Sequence, residues 1–220
     1  MNLGFISAYD IYNIDNTLFE TKDAPIGDNL LLPFVELRKV AKEKSVTVST
    51  VNFDNFDDFD AIVLIDIPHD ISPLMAKALN SNKKLFLLIF ECKFVMPSGY
   101  NLNFHKKFEK IFTWDESLIE LDSEHYIKIN FSHSLPLKYQ FNYNNRKQKI
   151  VMITGNKTSN DPFELYSKRK DIIDYYEDSN QLDLYGLGWE LRCFKSRILK
   201  SISHRLPFLK RIGYKQPSSY

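Results

Sequence analysis

A chain of 220 residues, 44% of them hydrophobic, sits near the globular average and is long enough for one large domain or two small ones. Its 29 Lys and Arg against 28 Asp and Glu leave a net charge of +1, so there is no global pull toward nucleic acid or membrane and any basic patch must be local. Cys92 and Cys193 lie far apart without metal-ligand spacing. The opening MNLGFISAYD lacks the basic and apolar regions of a signal peptide, and no run reaches the ~20 apolar residues that span a bilayer, so a reduced, cytoplasmic setting is expected.

Residues 3–8 read as a short apolar strand, followed by a polar, irregular stretch over 9–29. Residues 30–44 carry Leu31, Phe34, Val35, Leu37 and Val40 close to helical spacing, with Asp28 placed to cap the helix. Residues 46–50 alternate and are β-branched, and 61–65 and 85–90 are continuous apolar runs of the kind that form buried parallel strands. Between those two runs, Ser72-Pro73 supplies an N-cap and a favoured first helical residue, and Asn80 to Asn82 close the helix. A helix around 104–108 and strands at 111–114 and 126–130 follow.

Residues 132–148 are polar, Asn-rich and without period, which makes them the best linker. The pattern then restarts, with a strand at 149–154, a charged helix at 164–176 and a strand at 182–185 running into Gly186-Leu187-Gly188-Trp189. Alternation of this kind predicts an α/β protein. The expected organisation is an N-terminal Rossmann-like domain over 1–131 with a parallel sheet, a linker over 132–148, and the first β-α-β part of a second domain over 149–220.

In open parallel sheets, ligands sit outside the carboxyl ends of the strands, where loops diverge. Glu91 stands at such an end, immediately after the run 85–90. Partial desolvation there can raise a carboxylate toward the range a general acid or base needs, although a strand-end acid also commonly pairs with a Lys or caps a turn. Asp66, in IDIPHD, ends the preceding strand at the same edge, and Pro68 and His69 stiffen the turn after it. No second His lies at metal spacing, so no zinc site is expected. Residues 154–170, TGNKTSNDPFELYSKRK, link a strand to a helix, where phosphates are often held, but lack both the spaced glycines of a dinucleotide fingerprint and a P-loop. Asn156, Lys157 and Arg169 could still supply donors to a diphosphate; the plainer reading is a solvated turn and a charged helix face.

From Leu191 to Leu209, apolar Leu191, Phe194, Ile198, Ile202, Leu206 and Leu209 recur every three or four residues among Arg192, Lys195, Lys200, Arg205 and Lys210. Such a segment, over 190–211, can lie on an anionic membrane or serve as a domain helix with solvated charges that Pro207 would break.

Several stretches together resemble the fucosyltransferases of glycosyltransferase family 10. ELYSKRKDIIDYYEDSNQLDLYGLGWE, residues 164–190, is similar to the family's Glu-Leu-Tyr, Arg and Asp-Leu-Tyr-Gly-x-Gly-Trp pattern, and ITGNK upstream extends the likeness, with Gly where the family more often has Ser. IVLIDIP, LLIFECKFVMPSGYN, FEKIFTW and YIKINF are similar to the family in order and spacing, so the resemblance covers nearly the whole chain.

The resemblance implies a glycosyltransferase of the GT-B type, with an acceptor-side lobe carrying the base and a donor-side lobe binding GDP-fucose, and no cofactor beyond that donor substrate. Glu91 matches the family's catalytic glutamate, and Asn156, Lys157 and Arg169 match donor-lobe positions. The family's main donor motif should follow PSSY, so the expectation is a chain truncated within the donor lobe, or half of a split enzyme, for which unaided transfer is in doubt. The partners implied are a sugar nucleotide and a glycan acceptor, with a peripheral membrane contact through 190–211 and no nucleic acid. A second reading is a non-catalytic acceptor-binding or interaction module. A third is an unrelated α/β nucleotide-binding protein.

Overall fold

The computed structural model describes residues 1–24, 27, 29–130, 144, 146–176 and 179–189. The chain divides into two units, residues 1–137 and 138–220. The expected cap Asp28, most of the expected linker over 132–148, Cys193 and the basic segment over 190–211 lie outside the described residues.

The first unit is α/β. Its strands are β1 (Asn2–Ser7), β2 (Thr47–Thr50), β3 (Ala61–Ile65), β4 (Lys84–Ile89), β5 (Lys110–Thr113) and β6 (Tyr126–Lys128), paired in the order β2-β1-β3-β4-β5-β6. Every pairing is parallel. Parallel strands are covered on both faces, which is why β3, AIVLI, is apolar throughout and all five of its residues are buried.

Side chains alternate between two cores. Ile6, Ile62, Leu64, Leu85, Leu87, Ile89 and Ile111 share one core with Met75, Ala78 and Leu79 of α3 (Pro73–Leu79) and Leu118 of α5 (Glu116–Leu121). Phe5, Val63 and Ile65 share the other with Leu18 and Phe19 of α1 (Thr17–Glu20) and with Leu31 and Ala41. Fully buried Ile62 and Leu64 each contribute about 1.5–3 kcal/mol through removal of apolar surface from water. Gly4 on β1 is required by packing, because a Cβ there would lie 2.4 Å from Val51 Cγ2 and 2.8 Å from Phe59 Cγ.

The helices differ from expectation in detail. Ser72 caps α3 as its sequence suggests, its hydroxyl accepting from Met75 N at 3.3 Å. In α2 (Leu32–Glu43), Leu37 and Val40 are exposed, and the inward positions are Leu31, Phe34, half-buried Arg38 and Ala41. Arg38 forms an ion pair with Glu20 at the end of α1. The helix expected at 104–108 is α4 (Leu102–His105), and α5, capped by Asp115 accepting from Ser117 N, was not anticipated.

In the second unit, β7 (Ile150–Ile153) pairs in parallel with β8 (Leu182–Tyr185), and α6 (Tyr166–Tyr176) connects them. Lys149 bridges to Asp183 at 2.6 Å across the pair. Among the described residues no helix is long and apolar enough to cross a membrane.

Candidate active site

The strand order places a switch point between β1 and β3: the chain leaves β1 outward to β2, then returns to the other side of β1. The segments after β1, β3, β4 and β5 meet at this carboxyl edge, and they bring Tyr9, Asp66, Glu91 and Trp114 together.

Glu91 is half-buried and held from several sides. Asp66 Oδ1 accepts from the amides of Phe90 at 2.8 Å and Glu91 at 3.0 Å. Trp114 Nε1 donates to Phe90 O at 3.0 Å, and the Tyr100 hydroxyl donates to Glu91 O at 3.1 Å. Both peptide N–H groups and both carbonyls of the Phe90–Glu91 pair are thus engaged by side chains, Asp66 and Trp114 from other strand ends and Tyr100 from the following loop. The Glu91 carboxylate receives the Tyr9 hydroxyl at Oε1, 2.8 Å away. No Lys or Arg pairs with it among the described residues, so the ion-pair reading of a strand-end acid does not describe Glu91.

Each supporting residue is itself supported. Tyr9 N donates to Ser7 Oγ at 3.1 Å, while Asn13 brackets Ser7 by accepting from its N–H at 2.7 Å and donating to its carbonyl at 2.9 Å. Tyr100 closes the turn Pro97–Tyr100, whose Gly99 carbonyl lies 2.8 Å from His105 Nε2. A carbonyl only accepts, so Nε2 carries the proton, and Nδ1 accepts from the Tyr126 hydroxyl at 2.8 Å. His105 is 1% exposed, and burial lowers its pKa, which keeps the ring neutral as this pattern requires.

Asp66 is the most unusual group at the edge. It is 3% exposed, and burial pushes its carboxyl up to about 6, against the opposing pull of the Glu91 and Phe90 amides and with a further push from the Glu91 charge. Its φ is +55°, in the left-handed region that Asp tolerates better than most residues. Burial and the hydrogen bond to Glu91 raise the Tyr9 phenol well above its ordinary range, and burial does the same for Tyr100. Both therefore stay protonated donors.

In the second unit, Asn156 and Lys157 share the loop after β7. Asn156 N donates to Leu187 O and its side-chain Nδ2 to Gly188 O, both at 2.8 Å, and Trp189 Nε1 donates to Thr154 O. The Asn156 amide group is therefore engaged in tying the loop after β7 to the loop after β8. Lys157 and Arg169 are exposed, and the Arg169 guanidinium lies 5.6 Å from the Tyr166 ring centroid. Gly186, at φ +131°, permits the close approach of the two loops, since a Cβ there would meet Thr154 O at 2.1 Å.

A groove of about 480 Å³ lies elsewhere, at the strand starts, lined by Met1, Leu3, Ala61, Val63, Phe86 and Phe112 with Asp60 and Lys84. It holds no group suited to acid-base chemistry beyond that flanking pair. Among the described residues no cluster of His, Cys, Asp and Glu could hold a metal ion.

Sequence reasoning reached Glu91 and noted Asp66 at the same edge, but missed Tyr9, Tyr100 and Trp114. Tyr9 and Trp114 each follow a strand end by one or two residues, a position that was available as a signal. The first unit is thus a Rossmann-like α/β sheet with an oriented carboxylate after β4, one strand from its switch point. Scans of the chain against family models and against curated proteins return no match.

Proposed function

We propose that this chain is a glycosyltransferase of the GT-B type, similar to the family 10 fucosyltransferases, that moves fucose from GDP-fucose to a hydroxyl of a glycan acceptor. The observation that supports this most is the hold on Glu91, a half-buried carboxylate without a cation partner among the described residues, fixed at the sheet's carboxyl edge with one oxygen oriented by Tyr9. Glu91 takes the acceptor hydroxyl's proton as that oxygen bonds to the fucose anomeric carbon. The carbon–phosphate oxygen bond breaks with inversion, GDP leaves with the bonding pair, and the proton rests on Glu91. Lys157 and Arg169 are the donor-side candidates for the diphosphate, with Asn156 shaping the loop that carries Lys157.

Calorimetry with GDP-fucose and GDP, together with transfer of labelled fucose to a panel of oligosaccharides, tests the reading. Binding of GDP-fucose is expected, and in any transfer the chain supports Glu91→Gln should lower turnover by about a hundredfold or more while GDP affinity stays near the parent's. A chain that neither binds GDP-fucose nor transfers fucose overturns the reading. A Glu91→Gln variant as active as its parent removes Glu91 from the mechanism. Residues 190–211 are proposed to contact an anionic membrane surface; sedimentation with anionic vesicles should weaken as salt is added, and no binding at low salt disposes of the idea.

A further inference from the structure

We propose that Asp66 is the positioning residue of the Glu91 carboxylate, fixing the turn that aims Glu91 at Tyr9 by receiving the Phe90 and Glu91 amides on one oxygen. The proposal rests on the reading of Glu91 as the proton acceptor. Two unfavourable features coincide at Asp66: a left-handed backbone at φ +55° and a carboxylate 3% exposed with no Lys or Arg partner among the described residues. Strain and unpaired burial persist only where the surrounding structure enforces them, and they gather at functional edges.

The geometry shows what they accomplish. Asp66 N still donates to Leu88 O at 2.8 Å, so the parallel ladder of β3 and β4 reaches this residue. Beyond it the carboxylate replaces the main chain as acceptor and gathers two successive amides of the β4 side onto Oδ1, at 2.8 and 3.0 Å. A main-chain carbonyl in a continuing parallel ladder would not draw both amides to one oxygen in this way. The ladder ends there, and the chain turns so that the Glu91 side chain meets Tyr9, from the segment after β1. Among the described residues the Glu91 charge acts on Asp66 and the Asp66 charge on Tyr9 and Tyr100, and none of these groups is a cation.

Two variants of the full chain separate positioning from charge. Asp66→Asn removes the charge, keeps an acceptor oxygen and tolerates the left-handed backbone; Asp66→Ala removes the acceptor as well. The Tyr9 phenol, followed by carbon-13 NMR and assigned with Tyr9→Phe, reports whether Glu91 still meets it. Its ionisation should fall toward the ordinary range further in Asp66→Ala than in Asp66→Asn. An equal fall in both means that Asp66 acts through charge alone, and an unchanged Tyr9 in both overturns the proposal outright. In the parent, the Phe90 and Glu91 amide protons should shift together as pH crosses about 6, and in Asp66→Asn they should not, so the proposal can fail even where Asp66→Ala does not fold.

In transfer assays, Asp66→Ala should lose about tenfold or more in kcat with the KM for GDP-fucose unchanged, as for a base displaced from its acceptor. A parent chain that neither binds GDP-fucose nor transfers fucose sinks the glycosyltransferase reading, while the NMR comparison still decides the role of Asp66.

Discussion

The Tyr9 hydroxyl donates to Glu91 Oε1 at 2.8 Å, joining residues 82 apart in the chain across the sheet's switch point. The bond orients the Glu91 carboxylate and ties the segments after β1 and β4 together. It is partly solvent-exposed, so its energetic share is modest and its orienting role is the larger one.

Tyr9→Phe tests that division. The loss of stability should be about 1 kcal/mol or less, read from urea midpoints at unchanged m-value. Turnover in fucose transfer should fall several-fold with GDP affinity unaffected. A loss of stability of several kcal/mol would instead mark Tyr9 as structural.

Asp66→Asn should stabilise the protein at neutral pH. Folding raises the carboxyl from its ordinary 3.8 to about 6, so between those values the folded chain holds the proton more firmly than the unfolded one. Wild-type stability contributed by this group therefore rises as pH falls through that window, and the ionised form costs the folded state up to about 3 kcal/mol above it. The variant's advantage in urea should be largest at pH 7 to 8 and vanish near pH 4. An advantage independent of pH would refute the assignment.

His105→Phe should cost about 2–4 kcal/mol, because it leaves the Gly99 carbonyl and Tyr126 hydroxyl without their ring partner. The linkage of His105 has the opposite sign to that of Asp66. Burial depresses its pKa, so its contribution is complete above its ordinary 6.5 and is lost as pH falls through the lower folded value. The parent's acid-side loss from this residue should be absent in the variant, as followed by denaturant unfolding at stepped pH.

Gly186→Ala should disturb the second unit alone. At φ +131° a side chain is strained, and the new methyl would collide with Thr154 O, so a cost of about 2 kcal/mol or more is expected. Hydrogen exchange should quicken in β7 and β8 and remain unchanged in β1, β3 and β4. Faster exchange across the first sheet would show that the effect is not local.

Much of the fold was legible because buried parallel strands are local, continuous apolar runs: β3 and β8 fall at their expected bounds, and β4 within one residue. The helix α5 escaped notice because at six residues it is under two turns, too short for its apolar Leu118, Ile119 and Leu121 to set up a helical period. In α2 the apolar residues Leu37 and Val40 fit the helical spacing, but Phe34 and Ala41 pack against the sheet's second core and leave Leu37 and Val40 in solvent. Glu91 was legible as a strand-end acid and Asp66 as its neighbour at the same edge; Tyr9, Tyr100 and Trp114 were not.

By itself, the amino-acid order determined where apolar runs alternate with helices and that a carboxylate ends one of those runs, since both follow from side-chain spacing within a few residues. Only tertiary structure decided that β3 crosses to the far side of β1. That choice rests on pairing between distant strands, which no local period encodes, and it is what brings Tyr9, Asp66 and Trp114 around Glu91.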